Sequence, residues 1–341
     1  MANIFLTRKC NLNCSYCFAD EFVNKANEEI TIDNFKTALQ FIKTHKDEKV
    51  GLIGGEPTLH SAFAEILDIL NSDDDITSYV IFTNGIELDK FIDRITNEKV
   101  GLLINCNSPE NIGPKYEKLK SNINLLMKKG FYDFALGINL YSSSFDYSYI
   151  FDLLDITEQH TLRFSTALPN SSKEEDINAL NSFSEFKPYL FGFFRECYDR
   201  NIIPTNDCNA IPSCILNHEE KSLMIKMKIL ADKYKVANTL ITSSTCEPVI
   251  DILPDLNAVR CFGLSKELKV PIAKYKSIQA LRLYFYNKID LYAKLSFEKS
   301  ECEDCLSRLY DKCGLCYTYK IKQAKKLKDS IIEELTKNEI L

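Results

Sequence analysis

The sequence predicts an α/β fold: strand–helix units repeated around a parallel sheet, then a cysteine-rich second half. Three observations carry this. Short β-rich runs alternate with amphipathic helical stretches over the first half. Several of these runs end in glycine, asparagine or serine, the end at which open α/β sheets bind ligands. The 13 cysteines of the 341 residues cluster mainly at the two ends, three within positions 10–17 and eight beyond position 200.

The elements follow in order. A strand over Ile4-Phe5-Leu6 runs into a loop reading Thr7-Arg8-Lys9-Cys10-Asn11-Leu12-Asn13-Cys14-Ser15-Tyr16-Cys17-Phe18. Asp33 to His45 is a helix, with Phe35, Leu39, Phe41 and Ile42 at helical spacing and Thr31 or Asp33 as its cap. The second strand, Lys49 to Ile53, enters Gly54-Gly55-Glu56-Pro57, and a helix follows from Ser61 to Asn71. Paired glycines at a strand end allow close backbone approach to a ligand, or mark a turn before a helix. The third strand, Tyr79 to Phe82, ends at Thr83-Asn84-Gly85, and the fourth, Val100 to Cys106, ends at Asn105, Asn107 and Ser108. Phe134 to Leu140 is the fifth and Leu162 to Ser165, carrying Arg163, the sixth. Helices over Asp176–Arg200 and Glu219–Lys235 flank Pro204 to Cys214, where two prolines and two cysteines predict a fixed loop. Helices from Ser277 to Lys294 and from Tyr317 to Lys337 flank the last four cysteines.

Composition bounds the function classes. A hydrophobic content of 45% suffices for a packed core, and no apolar run is long enough for a membrane span. The N-terminus lacks signal-peptide order. Cysteines in a chain of this length point to metal or redox work in a reducing cytoplasm. The net charge of −6 argues against a nucleic-acid partner.

The spacing Cys10-x3-Cys14-x2-Cys17 can hold three irons of a cubane cluster, leaving the fourth without a protein ligand. Zinc is the alternative for closely spaced cysteines. With Tyr16 as the aromatic before the third cysteine, the loop resembles the radical S-adenosylmethionine superfamily. The resemblance implies a partial (βα)6 barrel, matching the count of six units. It also implies a [4Fe-4S] cluster whose open iron is chelated by S-adenosylmethionine, reductive cleavage to a 5'-deoxyadenosyl radical, and a reductant such as flavodoxin or ferredoxin. Gly54, Gly55, Glu56 and Pro57 match the family's second motif, which contacts the methionine amino group. Asn84, Asn105, Ser108, Asn139 and Arg163 stand where the family places ribose and carboxylate contacts, although turn chemistry prefers several of the same residues. Cys106 and Cys197 read as core thiols. Phe18, Tyr141, Tyr147 and Phe164 line a pocket or fill the core.

The second half resembles the cysteine-rich extension called SPASM, which carries auxiliary iron-sulfur clusters. Cys246 and Cys261 bracket a stretch like the family's β-hairpin, and Cys302-x2-Cys305-x7-Cys313-x2-Cys316 resembles its four-cysteine run. The match is incomplete: Leu256 stands for the usual glycine, the last spacings differ, and no cysteine follows Cys316. Each closed cubane takes four thiolates, and Cys208, Cys214, Cys246, Cys261, Cys302, Cys305, Cys313 and Cys316 number eight. One or two auxiliary [4Fe-4S] clusters therefore remain open, as does a zinc knuckle. The expected division is a radical domain over 1–200, a linker over 201–236 contributing Cys208 and Cys214, and the auxiliary domain over 237–341.

An auxiliary cluster can accept the electron left by oxidising a substrate radical. The resemblance thus implies oxidative modification, by crosslinking, of a side chain in a ribosomally synthesised precursor peptide. The chain starts at its first strand, so leader recognition is expected from its own surface or from a separate leader-binding protein. Anaerobic sulfatase maturation to formylglycine is the runner-up, weakened because Phe262 stands where that group has an Asp. Asp251 and Asp255, on the hairpin, are candidate bases or ordinary turn acids. A radical enzyme acting on a small molecule and a non-catalytic electron carrier are the remaining alternatives.

Overall fold

The computed structural model describes residues 1–17, 19–20, 22–25, 28–46, 49–95, 98–167, 179–208, 211–236, 249–265, 268–291, 293, 316, 318 and 321. Among the described residues ten strands form one sheet: β1 (Ala2–Phe5), β2 (Val50–Ile53), β3 (Tyr79–Thr83), β4 (Val100–Asn105), β5 (Phe134–Leu140), β6 (Thr161–Thr166), β7 (Ile203–Cys208), β8 (Ile250–Ile252), β9 (Asn257–Val259) and β10 (Lys269–Pro271). Their order is β10-β9-β8-β1-β2-β3-β4-β5-β6-β7. Every neighbour pair from β8 through β7 is parallel, and β8-β9-β10 is antiparallel.

The helices are α1 (Ile32–Ile42), α2 (Phe63–Ser72), α3 (Ile92–Ile95), α4 (Pro109–Ile112), α5 (Lys115–Lys128), α6 (Tyr149–Thr157), α7 (Ala179–Asp199), α8 (His218–Lys233) and α9 (Ile278–Phe285). Thr31 caps α1, its side chain accepting from the Asn34 N–H. Phe35, Ala38, Leu39 and Ile42, one helical stripe, are buried in the main core that also holds Ala2, Ile4 and Leu52. Asn217 and Glu220 close a capping box at the start of α8. Among the described residues no helix is long and apolar enough to cross a membrane.

Strand alternation sorts the sheet into two faces. Ala2, Ile4, Leu52, Ile81, Ile104, Ile138 and Phe164 join the main core beneath the helices. The opposite face carries Asn3, Phe5, Gly51, Ile53, Phe82, Asn105, Gly137, Asn139 and Arg163. Phe5, Ala19, Ile53, Leu253, Val259 and Phe262 form a second, smaller core there. Cys106 and Cys197 are both buried in the main core, as expected of core thiols.

One expectation needs correcting. The first half of the supposed loop from Pro204 to Cys214 is β7, a seventh parallel strand beside β6. Proline pairs with Leu162 there because β7 is the sheet's edge, where a missing N–H costs no ladder bond. The expected hairpin does form, as β8 and β9, and it extends the same sheet from the other side of β1.

Candidate functional site

The cysteine loop leaves the C-terminal end of β1 and is pinned at its stem. Leu6 N–H donates to Ile53 O at 2.8 Å, and Thr7 bridges to Glu29. Asn24, in the left-handed region at φ 57°, holds the loop from outside. Its N–H donates to Arg8 O at 2.7 Å, its Oδ1 accepts from the Cys10 N–H at 2.9 Å, and its Nδ2 donates to Leu12 O at 3.4 Å. Cys17 N–H donates to Cys14 O at 3.1 Å, turning the last two cysteines together.

Cys10, Cys14 and Cys17 are all half-buried and unbridged. Burial pushes the Cys10 thiol up to about 12, against the lowering by the Leu12 N–H, and raises the Cys14 thiol as well. Thiolates here need a compensating cation, which a bound metal would supply. No three His, Cys, Asp or Glu side chains among the described residues gather round one point that would hold a single ion. A cubane makes no such demand, since each thiolate binds a different iron. The donor set, three thiols of one pinned loop in a half-buried setting, fits a cubane.

The glycine pair acts on this loop. A Cβ at Gly54 would stand 2.8 Å from Thr7 O, and one at Gly55 would stand 2.4 Å from Lys9 O. The close approach that glycine permits is thus to residues 7–9, where Gly55 N–H donates to Thr7 O and Glu56 N–H to Lys9 O, both at 2.8 Å. Glu56, 1% exposed, accepts from Thr58 N–H, Thr58 Oγ1, Thr83 Oγ1 and Asn84 N–H. Burial raises its carboxyl, and those four donors pull it back only in part. Pro57 opens a 3₁₀ turn over Pro57–Leu59, where its missing N–H is harmless.

The ends of β3 to β7 supply the facing polar groups. Asn84 Nδ2 donates to Asn11 Oδ1 at 2.7 Å, and Lys115 Nζ donates to Asn11 O at 2.5 Å, tying the loop's middle to the sheet. Arg163 Nη1 donates to Asn105 Oδ1 at 3.0 Å and Nη2 to Asp207, while its buried Nε has no partner. Gly137 leaves room for this pair, since a Cβ there would be 3.3 Å from Asn105 Oδ1. Asn139 is half-buried on the same face of β5. Ser108 is the N-cap of α4, with its hydroxyl accepting from the Asn111 N–H.

Three residues outside the expected set matter: Asn24, Asp207 and Asn107. Asn107, 4% exposed, accepts on Oδ1 from the Tyr16 hydroxyl and from Cys14 Sγ, the latter at 3.4 Å. Its Nδ2 donates to Asn105 O at 3.2 Å. The spacing Asn105-Cys106-Asn107 was the available signal, for alternation sends two asparagines to the loop side of the sheet. Tyr141 stacks on Tyr16 with ring centroids 4.4 Å apart. Tyr147 and Phe164 pack against Phe193.

Beyond the loop, Cys261 follows β9 and is half-buried, Cys208 ends β7 and Cys214 lies near it in sequence, both exposed, and Cys316 is half-buried. Cys246, Cys302, Cys305, Cys313 and Phe18 lie outside the described residues. Phe262, next to Cys261, stands 5.4 Å from both Phe5 and Phe22. Asp251 is buried in β8, accepting from Asn3 Nδ2 at 2.7 Å, and burial pushes it up to about 7. Phe5, Ile53 and Leu253, two residues further along their strands than Asn3, Gly51 and Asp251, belong to the smaller apolar core. Asp255 accepts from Asn257 N–H at 3.1 Å within the hairpin turn. Burial raises it, but the Asn257 bonds and Lys269 outweigh this and hold it low.

Residues 4–142 match the family model described as the Radical SAM superfamily. Human molybdenum cofactor biosynthesis protein 1 is 32% identical over 140 residues, 40% of this chain and 21% of that protein. GTP 3',8-cyclase of Haemophilus influenzae is 30% identical over 112 residues, 32% of this chain and 33% of that protein. The chain thus spans a third or less of these curated relatives. In fold it is similar to Streptococcus suis SuiB bound to S-adenosylmethionine, with a TM-score of 0.61 at 15% identity, covering 94% of this chain and 73% of that one. Native anSMEcpe with bound AdoMet gives 0.62 at 17% identity, covering 98% of both chains. A further structure is SuiB bound to precursor peptide SuiA, at 0.58 and 13%, covering 93% of this chain and 70% of that one.

Proposed function

We propose, from the match of residues 4–142 to the Radical SAM superfamily model, that the protein is a radical S-adenosylmethionine enzyme that oxidatively modifies, by crosslinking, a side chain of a ribosomally synthesised peptide. Cys10, Cys14 and Cys17 would hold a [4Fe-4S] cluster, which with bound S-adenosylmethionine supplies hydrogen-atom abstraction. The chain's own residues do the rest. Gly54 and Gly55 let β2 lock the loop stem, and Asn24 and Asn84 hold its two sides. Arg163, oriented by Asn105 and Asp207, offers guanidinium donors to a carboxylate or ribose at the strand ends. Phe5, Phe22 and Phe262 pack into one apolar patch beneath the loop and exclude water from that side.

The observation that carries the oxidative reading is Cys261 at the end of a hairpin continuing the sheet, with Cys208 and Cys214 also beyond the matched domain. In this reading the strand–helix units form a partial (βα)6 barrel extended by β7, residues 1–200 are the radical domain, 201–236 the linker, and 237–341 the auxiliary domain. Cys208, Cys214, Cys246, Cys261, Cys302, Cys305, Cys313 and Cys316 are then ligands of one or two auxiliary clusters. The partners are a precursor peptide, a flavodoxin- or ferredoxin-type reductant, and a separate leader-binding protein where the enzyme's own surface does not serve. The fold likeness to SuiB, one of whose structures holds precursor peptide SuiA, supports a peptide substrate. The sequence match to GTP 3',8-cyclase supports a second reading, a small-molecule substrate.

Iron, sulfide and zinc per chain after anaerobic reconstitution test the site. About twelve irons falling to about eight in the Cys10, Cys14, Cys17 triple alanine variant is expected. About four falling to none, with about one zinc retained, would remove the electron-acceptor argument. Mass spectrometry of a candidate precursor peptide should show loss of two hydrogens. Turnover of GTP with no change in peptide would favour the second reading.

A further inference from the structure

Asn107 is a buried amide that reaches the cysteine loop from the end of β4. Its orientation is settled on every side. Nδ2 is held by Asn105 O, the preceding peptide by the Tyr149 hydroxyl donating to Cys106 O at 2.7 Å, and the following residue by the Ser108 cap. Its Oδ1 therefore faces the loop as an acceptor, and it meets both the Tyr16 hydroxyl and Cys14 Sγ. Both groups thus converge on one oxygen, which brings the Tyr16 hydroxyl to the side of the loop where Cys14 Sγ lies. Tyr16 is fixed in turn by its stack on Tyr141, whose hydroxyl accepts from Asn111 Nδ2 at 2.8 Å.

A cysteine that ligates iron has no S–H to give. The contact between Cys14 Sγ and Asn107 Oδ1 would then bring two acceptors together, with the Tyr16 O–H as a donor within reach of them. An amide flip would not relieve this, because it would turn Oδ1 toward Asn105 O. We propose that Tyr16 and Asn107 are positioning residues that set the reduction potential of the cluster held by Cys10, Cys14 and Cys17, by sharing one phenolic proton between Asn107 Oδ1 and Cys14 Sγ. The inference rests on the cysteine-triplet reading above. A hydrogen bond to a ligating sulfur withdraws charge and stabilises the reduced cluster, raising its potential. Tyr16 raises the potential, and Asn107, competing for the same proton, limits the rise.

The test is an anaerobic redox titration of the full reconstituted chain, following the low-temperature electron paramagnetic resonance signal that changes on adding S-adenosylmethionine. Tyr16→Phe keeps the ring and its stack and should move the midpoint to a more negative potential. Asn107→Ala leaves the phenolic proton to the sulfur alone and should move it to a more positive one. Asn107→Leu fills the same volume and serves where the alanine variant folds poorly. Loosening of the loop would move both variants the same way, so shifts of one sign, or no shift in Tyr16→Phe, overturn the inference. A reduced wild type with no signal responsive to S-adenosylmethionine overturns the triplet reading itself.

Discussion

Replacing Gly55 by alanine adds one methyl group where three backbone atoms already stand. The new Cβ would lie 2.4 Å from Lys9 O, 2.8 Å from Lys9 C and 3.0 Å from Arg8 O. None of these can rotate aside, so residues 7–9 must retreat by about an ångström to reach ordinary contact. That retreat takes the 2.8 Å bonds from Gly55 N–H to Thr7 O and from Glu56 N–H to Lys9 O out of range. Overpacking at about 1–3 kcal/mol and two bonds at about 1 kcal/mol each give a loss of about 3–5 kcal/mol. Gly192 in α7 is the control, since its Cβ would meet only Tyr147 Oη at 3.9 Å. Alanine there should stabilise the helix by about 0.5–1 kcal/mol. Urea midpoints and iron per chain measure both variants. Gly55→Ala should unfold earlier and take up less iron, and Gly192→Ala should unfold later with full iron. A Gly55→Ala protein with the wild-type midpoint and full iron would refute the locking role of the glycine pair.

Asp251 holds its proton to about pH 7 when folded but releases it near its ordinary 3.8 when unfolded. The folded chain binds more protons across that window, so this stability is full below about pH 4 and is lost, by up to about 4 kcal/mol, as pH rises to 7. Asp251→Asn should flatten this slope between about pH 4 and 7 in thermal melts, and a slope parallel to wild type would count against the burial argument. Arg260 and Asp290 form an ion pair with side chains 3% and 2% exposed. Arg260→Met should cost about 3–5 kcal/mol by stranding the carboxylate, and adding Asp290→Leu should restore most of it; equal losses in single and double variants would deny the pairing. Cys106→Ala and Cys197→Ala should each cost about 1 kcal/mol of stability and leave iron per chain unchanged, whereas loss of iron would make either a ligand.

Much of the site was legible in the chain because its information is local. The cysteine spacing, the Thr31 cap, the strands ending at Asn84 and Asn105, and the hairpin before Cys261 each depend on residues near one another in sequence. Periodicity also located β2 to β6 within a residue or two. What the glycines approach could not be read that way. Gly55 meets Lys9 across 45 residues of intervening sequence, and it is the parallel pairing of β1 with β2 that brings them together.

The same reason accounts for β7 and β8. Prolines at 204 and 212 argue for a loop until the sheet's edge makes the missing N–H at 204 harmless. Ala2 pairs with Ile250 through a register that no local pattern encodes. By itself the sequence determined the cysteine spacing, the strand–helix alternation and the caps, since spacing and propensity act within a few residues. Tertiary structure alone decided that Asn107 reaches Cys14 and Tyr16 and that Asp251 lies buried against Asn3. Those contacts join segments from separate strands, and it is long-range strand pairing that chooses which segments meet.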